Sequence, residues 1–511
     1  MSRTVIGEGT YGCVQKPSLH CSKGINANLN YKNYVSKIMK TKDAELELKE
    51  FIVMDTYDPT NKYHLGPSIL CQPELNDSII DKDISSCKYI KSEEVKSDPN
   101  DYKIMLMKFG GPDFKNLCSS ELHKYLSTKK QLKTDQFWLE VHHLITGLQF
   151  FKDNGLVHND IKPQNILFNM KTGKLAFIDF GLMRSKAEVI QSSKKSDNFL
   201  GIYHWSYPFE CGLMNKKKYN EYHGLSVARE KTYKNQLSEM IINNTKTNTF
   251  KMLITNPNAF NILFAYINLN GDPPPSVTKY GYIEHFFDGI NNLMSDTNNT
   301  YDNVLTDIVN SIDVYGLGFT LQFILNCFYR HKAIDQEFYT RFSTFFHKMY
   351  DFNLKTRELN IENLITEYEN ILLETGVLTR LKKSFENHNI TNKKPATENL
   401  MKKMNIEDIS FSSSSNSSSS SRSNSRSKSK SLSKELETLA TLDPETTSLS
   451  RSKSISPISK RSNTSKRKIN VCPKNKEFKL TTNRCVNKCK LGQTRNTNFK
   501  CAFKTRKQNR V

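Results

Sequence analysis

The sequence lacks long apolar runs and an apolar N-terminal segment. None of its 511 residues lies in a stretch approaching the roughly 18 consecutive apolar side chains that suggest a membrane-spanning helix. The first residues include charged side chains and glycines, without the apolar core of a secretion signal. We therefore expect neither a transmembrane nor a secreted product, and we expect the protein to act in the cytoplasm.

Cysteine pairs of the Cys-x-x-Cys type are also absent. The chain has eleven cysteines, an odd number, of which seven are scattered and four cluster near the end. We predict that the scattered cysteines are reduced thiols, as is usual in the cytosol. These residues are Cys13, Cys21, Cys71, Cys87, Cys118, Cys211 and Cys327.

The clustered cysteines leave three states open. Cys472, Cys485, Cys489 and Cys501 form two pseudo-repeats within the basic segment 471–511. Four thiolates can hold one tetrahedral Zn²⁺ and fold a small module around it. Two disulfides or four unmodified thiols are the alternatives, and the missing Cys-x-x-Cys pair makes the zinc signal weak.

Positive charge is concentrated in the C-terminal part of the chain. From residue 401 onward there are 26 Lys and Arg against 7 Asp and Glu, which accounts for +19 of the net charge of +22. Residues 395–470 include Ser-rich stretches at 411–432 and 450–468 in which Ser alternates with Arg or Lys. They contain too little apolar surface to offset the entropy of folding, so we predict disorder. This segment is either a flexible linker or a phosphorylatable tail that binds nucleic acid or an acidic partner.

One stretch near the middle of the chain carries a set of residues suited to phosphoryl transfer. Asp160, Lys162 and Asn165 lie within one polar loop between apolar segments, and Asp179-Phe180-Gly181 follows a second apolar run. Asp160 can accept or orient a hydroxyl proton, and Lys162 can neutralise charge on a transferred phosphoryl group. Asn165 and Asp179 offer hard oxygen ligands to Mg²⁺.

A glycine-rich turn opens the chain. Gly7, Gly9 and Gly12 are flanked by Ile6 and Val14, which predicts two strands joined by a turn whose backbone can approach phosphates closely. A dinucleotide-binding turn has a similar pattern but should open directly into a helix. Here residues 15–33 are polar with Pro and Gly, so we favour a strand–turn–strand flap over a nucleotide.

The next elements supply a lysine and an acidic helix. Residues 34–39 are predicted to form the third strand, which carries Lys37, and residues 43–54 have helical character. We predict that Glu50 pairs with Lys37 because apolar residues follow it at helical spacing; Glu47 is the second choice. Such an ion pair would orient the lysine more than stabilise the fold.

A strand and a hinge follow. Residues 102–107 are predicted to form a strand that ends at Met107, and Phe109 lies in the glycine-containing segment after it. Residues 135–153 form an amphipathic helix with its apolar side chains at helical spacing, which indicates a packed core. Asn154-Gly155 then ends the helix and leads into the loop of Asp160.

The order of these parts resembles the eukaryotic-type protein-kinase fold, and Lys162-Pro163 after Asp160 resembles its Ser/Thr class. The resemblance implies an α+β, two-lobed architecture and use of ATP and Mg²⁺ on protein substrates. It places Lys37 on the ATP phosphates, Met107 behind the adenine and Phe109 in the hinge. The implied domain covers residues 1–380, with lobes at 1–107 and 108–380, an insert at 211–300, and the linker and tail beyond 395.

Later landmarks and departures also follow from this resemblance. Glu210 would pair with Arg357, and Asp313 would hold the backbone of the catalytic loop. Asn159 stands where an arginine usually precedes the catalytic aspartate. That arginine commonly receives an activation-loop phosphate, so we hypothesise that activity does not require phosphorylation between Leu182 and Tyr207.

A second, compositional resemblance is to protein kinases of giant nucleocytoplasmic DNA viruses. It rests on the Asn- and Lys-rich loops, the long insert and the basic cysteine-containing tail. It implies a viral product in the host cytoplasm that can be packaged in a virion. The alternatives to an active kinase are a catalytically silent kinase-like scaffold and a virion protein that binds nucleic acid through its tail.

Overall fold

The computed structural model describes most of the first 387 residues and four short strands near the C-terminus. The described residues are 4–9, 12–22, 29–74, 84, 86–88, 90–195, 206–223, 231–232, 234–235, 279–295 and 299–387, with strands between 476 and 503. The predicted disordered segment 395–470 lies outside them. The chain divides into two compact units, 1–449 and 450–511.

A five-stranded antiparallel sheet forms the N-terminal lobe, with strand order β1-β2-β3-β5-β4. Its strands are β1 (Thr4–Gly9), β2 (Gly12–Lys16), β3 (Tyr34–Lys40), β4 (Ile69–Cys71) and β5 (Tyr102–Lys108). The glycine-rich turn joins β1 to β2 as a hairpin, with Gly9 opposite Gly12. This confirms the predicted strand–turn–strand flap and excludes the dinucleotide-type turn.

Helix α1 (Thr41–Tyr57) follows β3 without a loop and packs on one face of the sheet. Its fully buried side chains are Ala44, Phe51 and Met54. Since Glu47 lies three residues after Ala44 and four before Phe51, it occupies the same helical face. Helix α2 (Ser92–Ser97) precedes β5.

Our prediction that the scattered cysteines are reduced is wrong for four of them, which form two disulfides on the other face of the sheet. Cys13 on β2 is disulfide-bonded to Cys87, and Cys21 is bonded to Cys71 on β4. The partners are 74 and 50 residues apart in sequence, so only the folded sheet brings them together. Among the described cysteines, Cys118, Cys211 and Cys327 remain as buried free thiols.

The C-terminal lobe is helical. After a short run of helical turns at 114–125, its helices are α3 (Lys130–Asp153), α4 (Lys186–Lys195), α5 (Lys216–His223), α6 (Lys279–Ser295), α7 (Tyr301–Arg330), α8 (Gln336–Tyr350), α9 (Ile361–Glu374) and α10 (Val377–Asn387). Two small antiparallel pairs lie before α4: β6 (Leu156–Val157) with β9 (Arg184–Ser185), and β7 (Ile166–Asn169) with β8 (Lys174–Phe177). The last helix of the lobe extends past the predicted limit at 380.

Helix α7 is the core of this lobe. Its residues from Ser311 to Phe328 are all buried. By length and composition alone the helix could cross a membrane, but 94% of its most apolar window is buried inside the protein. Trp138 of α3 packs edge-on against Phe328 of α7 and also contacts Phe342 of α8, so these three helices share one aromatic core.

The predicted insert at 211–300 is partly described. Its described part includes α5 near its start, α6 near its end and a few helical residues at 231–232 and 234–235. Tyr222 of α5 donates a hydrogen bond to Asn291 of α6 at 3.3 Å. The proline run at 273–275 lies outside the described residues.

The second unit contains two hairpins, one for each cysteine pseudo-repeat. Strands β10 (Lys476–Lys479) and β11 (Arg484–Asn487) pair in one, and β12 (Gln493–Arg495) and β13 (Cys501–Phe503) pair in the other. Cys485 and Cys501 lie within these strands. Cys472 and Cys489 are outside the described residues, so the three predicted cysteine states stay predictions.

Candidate active site

The loop between β6 and β7 gathers the three polar residues that its sequence singles out. Lys162 donates from Nζ to Oδ2 of Asp160 at 2.9 Å. A turn of 3₁₀ helix, Pro163–Asn165, brings Asn165 back so that its Nδ2 donates to both the carbonyl and Oδ2 of Asp160 at 2.8 Å. The carboxylate is therefore fixed from two sides.

Asp160 has an unusual environment for a carboxylate. The residue is buried, with 7% of its surface exposed. Burial raises the pKa of Asp160 to about 6, Lys162 opposes the rise, and the charge of Asp179 adds to it. A carboxylate with a pKa this close to neutrality is a better proton acceptor than an ordinary aspartate.

The backbone of this loop is held from below by α7. Asp313 accepts hydrogen bonds from the backbone N–H groups of His158 at 2.7 Å and Asn159 at 3.0 Å, as predicted. Asn159 has a positive φ of 63°, which the paired amides help to maintain. A Cβ on Gly316 would lie 2.6 Å from the carbonyl oxygen of Ile161, so glycine permits the close approach of the helix to the loop.

Asp179 is presented by a strained turn at the end of β8. It adopts left-handed backbone angles of φ 64° and ψ 70°, and a 3₁₀ turn (Phe180–Leu182) follows. The Phe180 ring is buried and contacts the rings of Phe51, His64 and His158 at centroid distances of 6.5, 6.3 and 5.1 Å. Phe180 thus links α1 to the catalytic loop while Asp179 faces the charges of Lys37 and Asp160.

Lys37 pairs with Glu47, which corrects our prediction of Glu50. Nζ of Lys37 lies 2.8 and 2.6 Å from the two carboxylate oxygens of Glu47. Burial alone would lower the pKa of Lys37, but Glu47 and then Asp179 outweigh it, so the net pKa is raised. The lysine is therefore charged at neutral pH.

The reason for this error lies in which face of α1 is buried. We placed the buried face by the apolar residues after Glu50, yet Val53 and Tyr57 are exposed. The buried face runs through Ala44, Glu47, Phe51 and Met54 instead. Glu50 lies one turn further on, where its Oε2 is 3.3 Å from the position that a Cβ on Gly181 would take.

The glycine-rich hairpin lies over Lys37. Residue Gly12 is buried and a Cβ there would lie 2.7 Å from the carbonyl oxygen of Ile38 and 3.2 Å from the Lys37 side chain, so glycine is required. Gly7 has no such contact, since a Cβ there would meet Val14 at an ordinary 3.8 Å. Ile6 is 40% exposed, and residues 10–11 lie outside the described part of the chain.

The segment joining the lobes is also where it was predicted. Met107 is half-buried and lies opposite Val35 across the ladder between β5 and β3. The N–H group of Phe109 donates to the carbonyl of Asn33 at 3.0 Å. The Lys16 ammonium lies 3.1 Å from the centroid of the Phe109 ring, a cation–π contact that the sequence did not indicate.

Two glycines tie this segment to the C-terminal lobe. A Cβ on Gly110 would lie 2.6 Å from Cδ1 of Leu167. Gly111 has a φ of +97°, and a Cβ there would lie 1.9 Å from the carbonyl oxygen of Phe168. The N–H group of Phe168 also donates to the carbonyl of Pro112 at 3.0 Å.

The predicted Glu210–Arg357 pair is confirmed. Nη1 of Arg357 donates to Oε1 of Glu210, and both side chains are almost fully buried. Arg357 also donates from Nε and Nη2 to the carbonyl of Asp351 at 2.9 and 2.6 Å. The pair fixes the segment after residue 206 against the loop between α8 and α9.

Two contacts were not predicted by the sequence. Nδ2 of Asn159 donates to the carbonyl of Leu182 at 3.0 Å, so the residue that replaces the usual arginine contacts the activation segment directly. His158 packs against Phe180. Asn159 in place of the usual arginine marked this position as unusual in the sequence. That it contacts Leu182 follows only from the fold.

Comparison with known proteins agrees with this geometry. A family model described as "Protein kinase domain" matches residues 88–221, which include Asp160, Asn165 and Asp179. The match covers about a quarter of the chain. Residues 88–221 are therefore similar to a protein kinase domain, and the sheet and helices around them fit a kinase fold.

Two curated relatives give the same class. The chain is 30% identical to calcium/calmodulin-dependent protein kinase kinase of Caenorhabditis elegans over 182 residues, which are 35% of this chain and 30% of that protein. It is 30% identical to fatty acyl-CoA synthetase and RNA processing-associated kinase 1 of Saccharomyces cerevisiae over 115 residues, 22% of this chain and 12% of that protein. The chain thus spans less than a third of the length of these relatives.

Proposed function

We propose that this chain is an active Ser/Thr protein kinase that transfers the γ-phosphoryl group of Mg-ATP to protein hydroxyls. One observation carries the proposal: Asp160, Lys162 and Asn165 form a single hydrogen-bonded cluster. The charge of Asp179 acts on both Asp160 and Lys37. Every position that handles charge or protons in this chemistry is filled by a competent side chain.

Asp160 would take the hydroxyl proton of the acceptor. Its pKa of about 6 leaves most of it ionised at neutral pH while keeping it basic enough to accept a proton in the transition state. Lys162 contacts the same carboxylate and places its positive charge beside the path of the transferred group. We assign Ser/Thr specificity from this Asp–Lys pair.

Lys37 and Glu47 would hold the nucleotide phosphates. The ion pair fixes the ammonium in one position and keeps it charged, so little reorganisation is needed when a triphosphate binds. Gly12 lets the hairpin backbone lie directly above this lysine. The adenine would then lie between the hairpin and Met107.

The donor set fits a hard divalent cation such as Mg²⁺. Asn165 uses its Nδ2 on Asp160, which leaves Oδ1 as the atom of its side chain able to ligate a metal, and Asp179 supplies a carboxylate. Bound Mg²⁺ would neutralise phosphate charge at this site. The residues' own contribution is to orient these two oxygen ligands before the nucleotide arrives.

The test is transfer of radiolabelled phosphate from ATP to a generic basic protein substrate. We expect transfer by the wild type and a loss of about a thousandfold or more in Asp160→Asn, since the cluster loses its base while keeping its shape. Exposed Asp98 offers a matched control, and Asp98→Asn should transfer at the wild-type rate. Equal transfer by wild type and Asp160→Asn, or none by the folded wild type that binds Mg-ATP, would contradict the proposal.

A further inference from the structure

The Cys13–Cys87 disulfide lies directly behind the nucleotide-facing surface of the glycine-rich hairpin. Successive side chains of a strand point to opposite faces. Gly12 lies over Lys37, whereas Cys13 belongs to the apolar cluster on the opposite face of the sheet with Ile38 and Leu106. The crosslink therefore fixes the hairpin from its back.

Within the described part of the chain, the outer side of the hairpin has few other restraints. There β1 is an edge strand paired with β2, and its register shifts between Val5 and Gly7. An edge strand with an irregular ladder is easily displaced. Among the described residues, the back of the hairpin is held by residues 84, 86–88 and 90, which we call the back segment.

The back segment is joined to the hairpin by several contacts that meet at Cys87. The N–H group of Lys88 donates to Oε1 of Glu8 on β1, and Gln15 on β2 donates to Sγ of Cys87 at 3.7 Å. A carboxylate oxygen of Glu8 and the Sγ atoms of Cys13 and Cys87 all lie within 4.8 Å of one another. Both strands of the hairpin therefore depend on the position of one cysteine.

We propose that Cys13–Cys87 is a redox site that sets the mobility of the glycine-rich hairpin and, through it, the affinity for ATP. This inference goes beyond phosphoryl transfer but takes the nucleotide site from the proposed function. With the disulfide formed, the hairpin is preorganised over the phosphates and binding costs less ordering entropy. With the disulfide reduced, β1 and the turn move more freely and ATP binds more weakly.

The chemical step is an ordinary thiol–disulfide exchange with a dithiol reductant. Both cysteines are buried, with 1% of Cys13 and 4% of Cys87 exposed, so attack requires local opening. One thiolate of the reductant then attacks Sγ of Cys87, because Cys13 is also enclosed between β1 and β3. Cys13 leaves as a thiolate and takes a proton. The second thiol of the reductant then displaces Cys87, so two electrons and two protons pass to the protein and the reductant becomes a cyclic disulfide.

The second disulfide of the sheet provides a matched control. Cys21 already pairs with Pro73 in a β-bridge, and the N–H groups of Ser22 and Glu74 donate to Gln72 and His20 at 2.8 Å. These backbone bonds hold the same connection without the sulfur atoms. Loss of Cys21–Cys71 should therefore leave the glycine-rich hairpin unchanged.

The experiment compares the full-length protein equilibrated with oxidised or reduced dithiothreitol, after thiol trapping and peptide mapping of the Cys13–Cys87 link. Hydrogen exchange of residues 4–16 is measured without nucleotide, and affinity for a fluorescent ATP analogue is measured in each state. We expect faster exchange and about three- to tenfold weaker binding on reduction. The double variant C13S/C87S should match the reduced wild type in both buffers, whereas C21S/C71S should keep the redox response.

Three results would overturn the inference. The first is that the thiols of Cys13 and Cys87 stay fully alkylatable in the oxidising buffer. The others are hydrogen exchange of the hairpin, or affinity for the ATP analogue, that is equal in the two redox states. None of these readouts uses phosphoryl transfer. A protein that responds to redox but transfers no phosphate would refute the proposed function alone. A protein that binds no nucleotide would do the same, and hairpin exchange would then decide the redox inference.

Discussion

The environment of Asp160 should make the proposed phosphoryl transfer sensitive to pH. The carboxylate must be ionised to accept a proton, and burial raises its pKa to about 6. We therefore predict that kcat/KM rises with pH and is half-maximal near pH 6, falling to about a tenth one unit below. If the proton acceptor were an exposed aspartate of ordinary pKa, activity would persist down to about pH 4.

The pH profile of Lys162→Met tests the cause. Since Lys162 lowers the pKa of Asp160, its removal should move the midpoint of kcat/KM to higher pH as well as reduce the maximum. The measurement is kcat/KM from pH 5 to 8 at saturating Mg²⁺. A profile that is flat over this range, or a midpoint that falls in the variant, would show that Asp160 does not control the acidic limb.

Glu47 and Glu50 can be separated by substitution. Glu47→Gln removes a charge-assisted hydrogen bond to Lys37 worth about 1.5–3 kcal/mol, so we expect kcat/KM for ATP to fall about ten- to a hundredfold. Glu50→Gln should cost less, because Glu47 accepts hydrogen bonds from Lys37 and influences its pKa more strongly than Glu50 does. A greater loss of kcat/KM in Glu50→Gln than in Glu47→Gln would show that Glu50 is the carboxylate that orients Lys37.

At the scale of elements, the buried Glu210–Arg357 pair should matter for stability. Removing one partner leaves an uncompensated buried charge, so Glu210→Ala or Arg357→Met should lower the free energy of unfolding by about 3–5 kcal/mol. The double variant should lose less than the sum of the two. The exposed pair Arg341–Glu337 is the control and should contribute less than about 1 kcal/mol; equal effects in chemical denaturation would contradict the assignment.

The described ends of the activation segment are held by contacts between protein groups. Helix α4 lies against α7, where Tyr301 donates to the carbonyls of Ser193 at 3.3 Å and Met214 at 2.6 Å. Lys194 pairs with Asp302 at 3.0 Å. Together with the bond from Asn159 to Leu182, these contacts hold the described ends of the segment in place.

This arrangement leads to a prediction about regulation. Phosphatase-treated protein should retain activity within about twofold of untreated protein, since order does not depend on a phosphate–arginine contact. Tyr301→Phe should lower activity by weakening two backbone contacts, while Tyr57→Phe on the exposed face of α1 should not. Dephosphorylated protein that is inactive until a residue between Leu182 and Tyr207 is phosphorylated would contradict this.

The elements differ in how far they could be predicted from the sequence. The hairpin, β3, α3 and the loop of Asp160 were predictable because apolar periodicity and glycine spacing are local signals. The choice between Glu47 and Glu50 was not, because it depends on which face of α1 the sheet covers. The two disulfides were missed for a similar reason, since pairing over 74 and 50 residues is a property of the folded sheet.

For the whole molecule, the net charge differs between the first 400 residues and the tail. The first 400 residues carry 48 Lys and Arg against 45 Asp and Glu, whereas the remainder carries +19. Binding of the full chain to single-stranded nucleic acid should therefore fall by at least about tenfold between 50 and 200 mM salt. A chain ending at residue 400 should lose this binding and keep its kcat/KM; filter binding and transfer assays on both proteins test this.

A viral origin and packaging in a particle stay predictions. The relatives reported above come from cellular organisms, and the resemblance to viral kinases rests on composition. Packaging in a virion and action in a host cytoplasm depend on that resemblance. Detection of the protein in purified particles would be the direct measurement.

The glycines between the lobes limit how the two lobes can swing. Gly111 is locked against Phe168, and Pro112 is bonded to the same residue, so the chain is anchored from that point onward. On the other side, Phe109 is still bonded to Asn33 of the N-terminal lobe. In the proposed kinase, any opening to release spent nucleotide must then pivot within the few bonds around Gly110. The methyl group of Gly110→Ala would lie 2.6 Å from Cδ1 of Leu167, so the variant should disturb this pivot and slow product departure before it affects the chemistry.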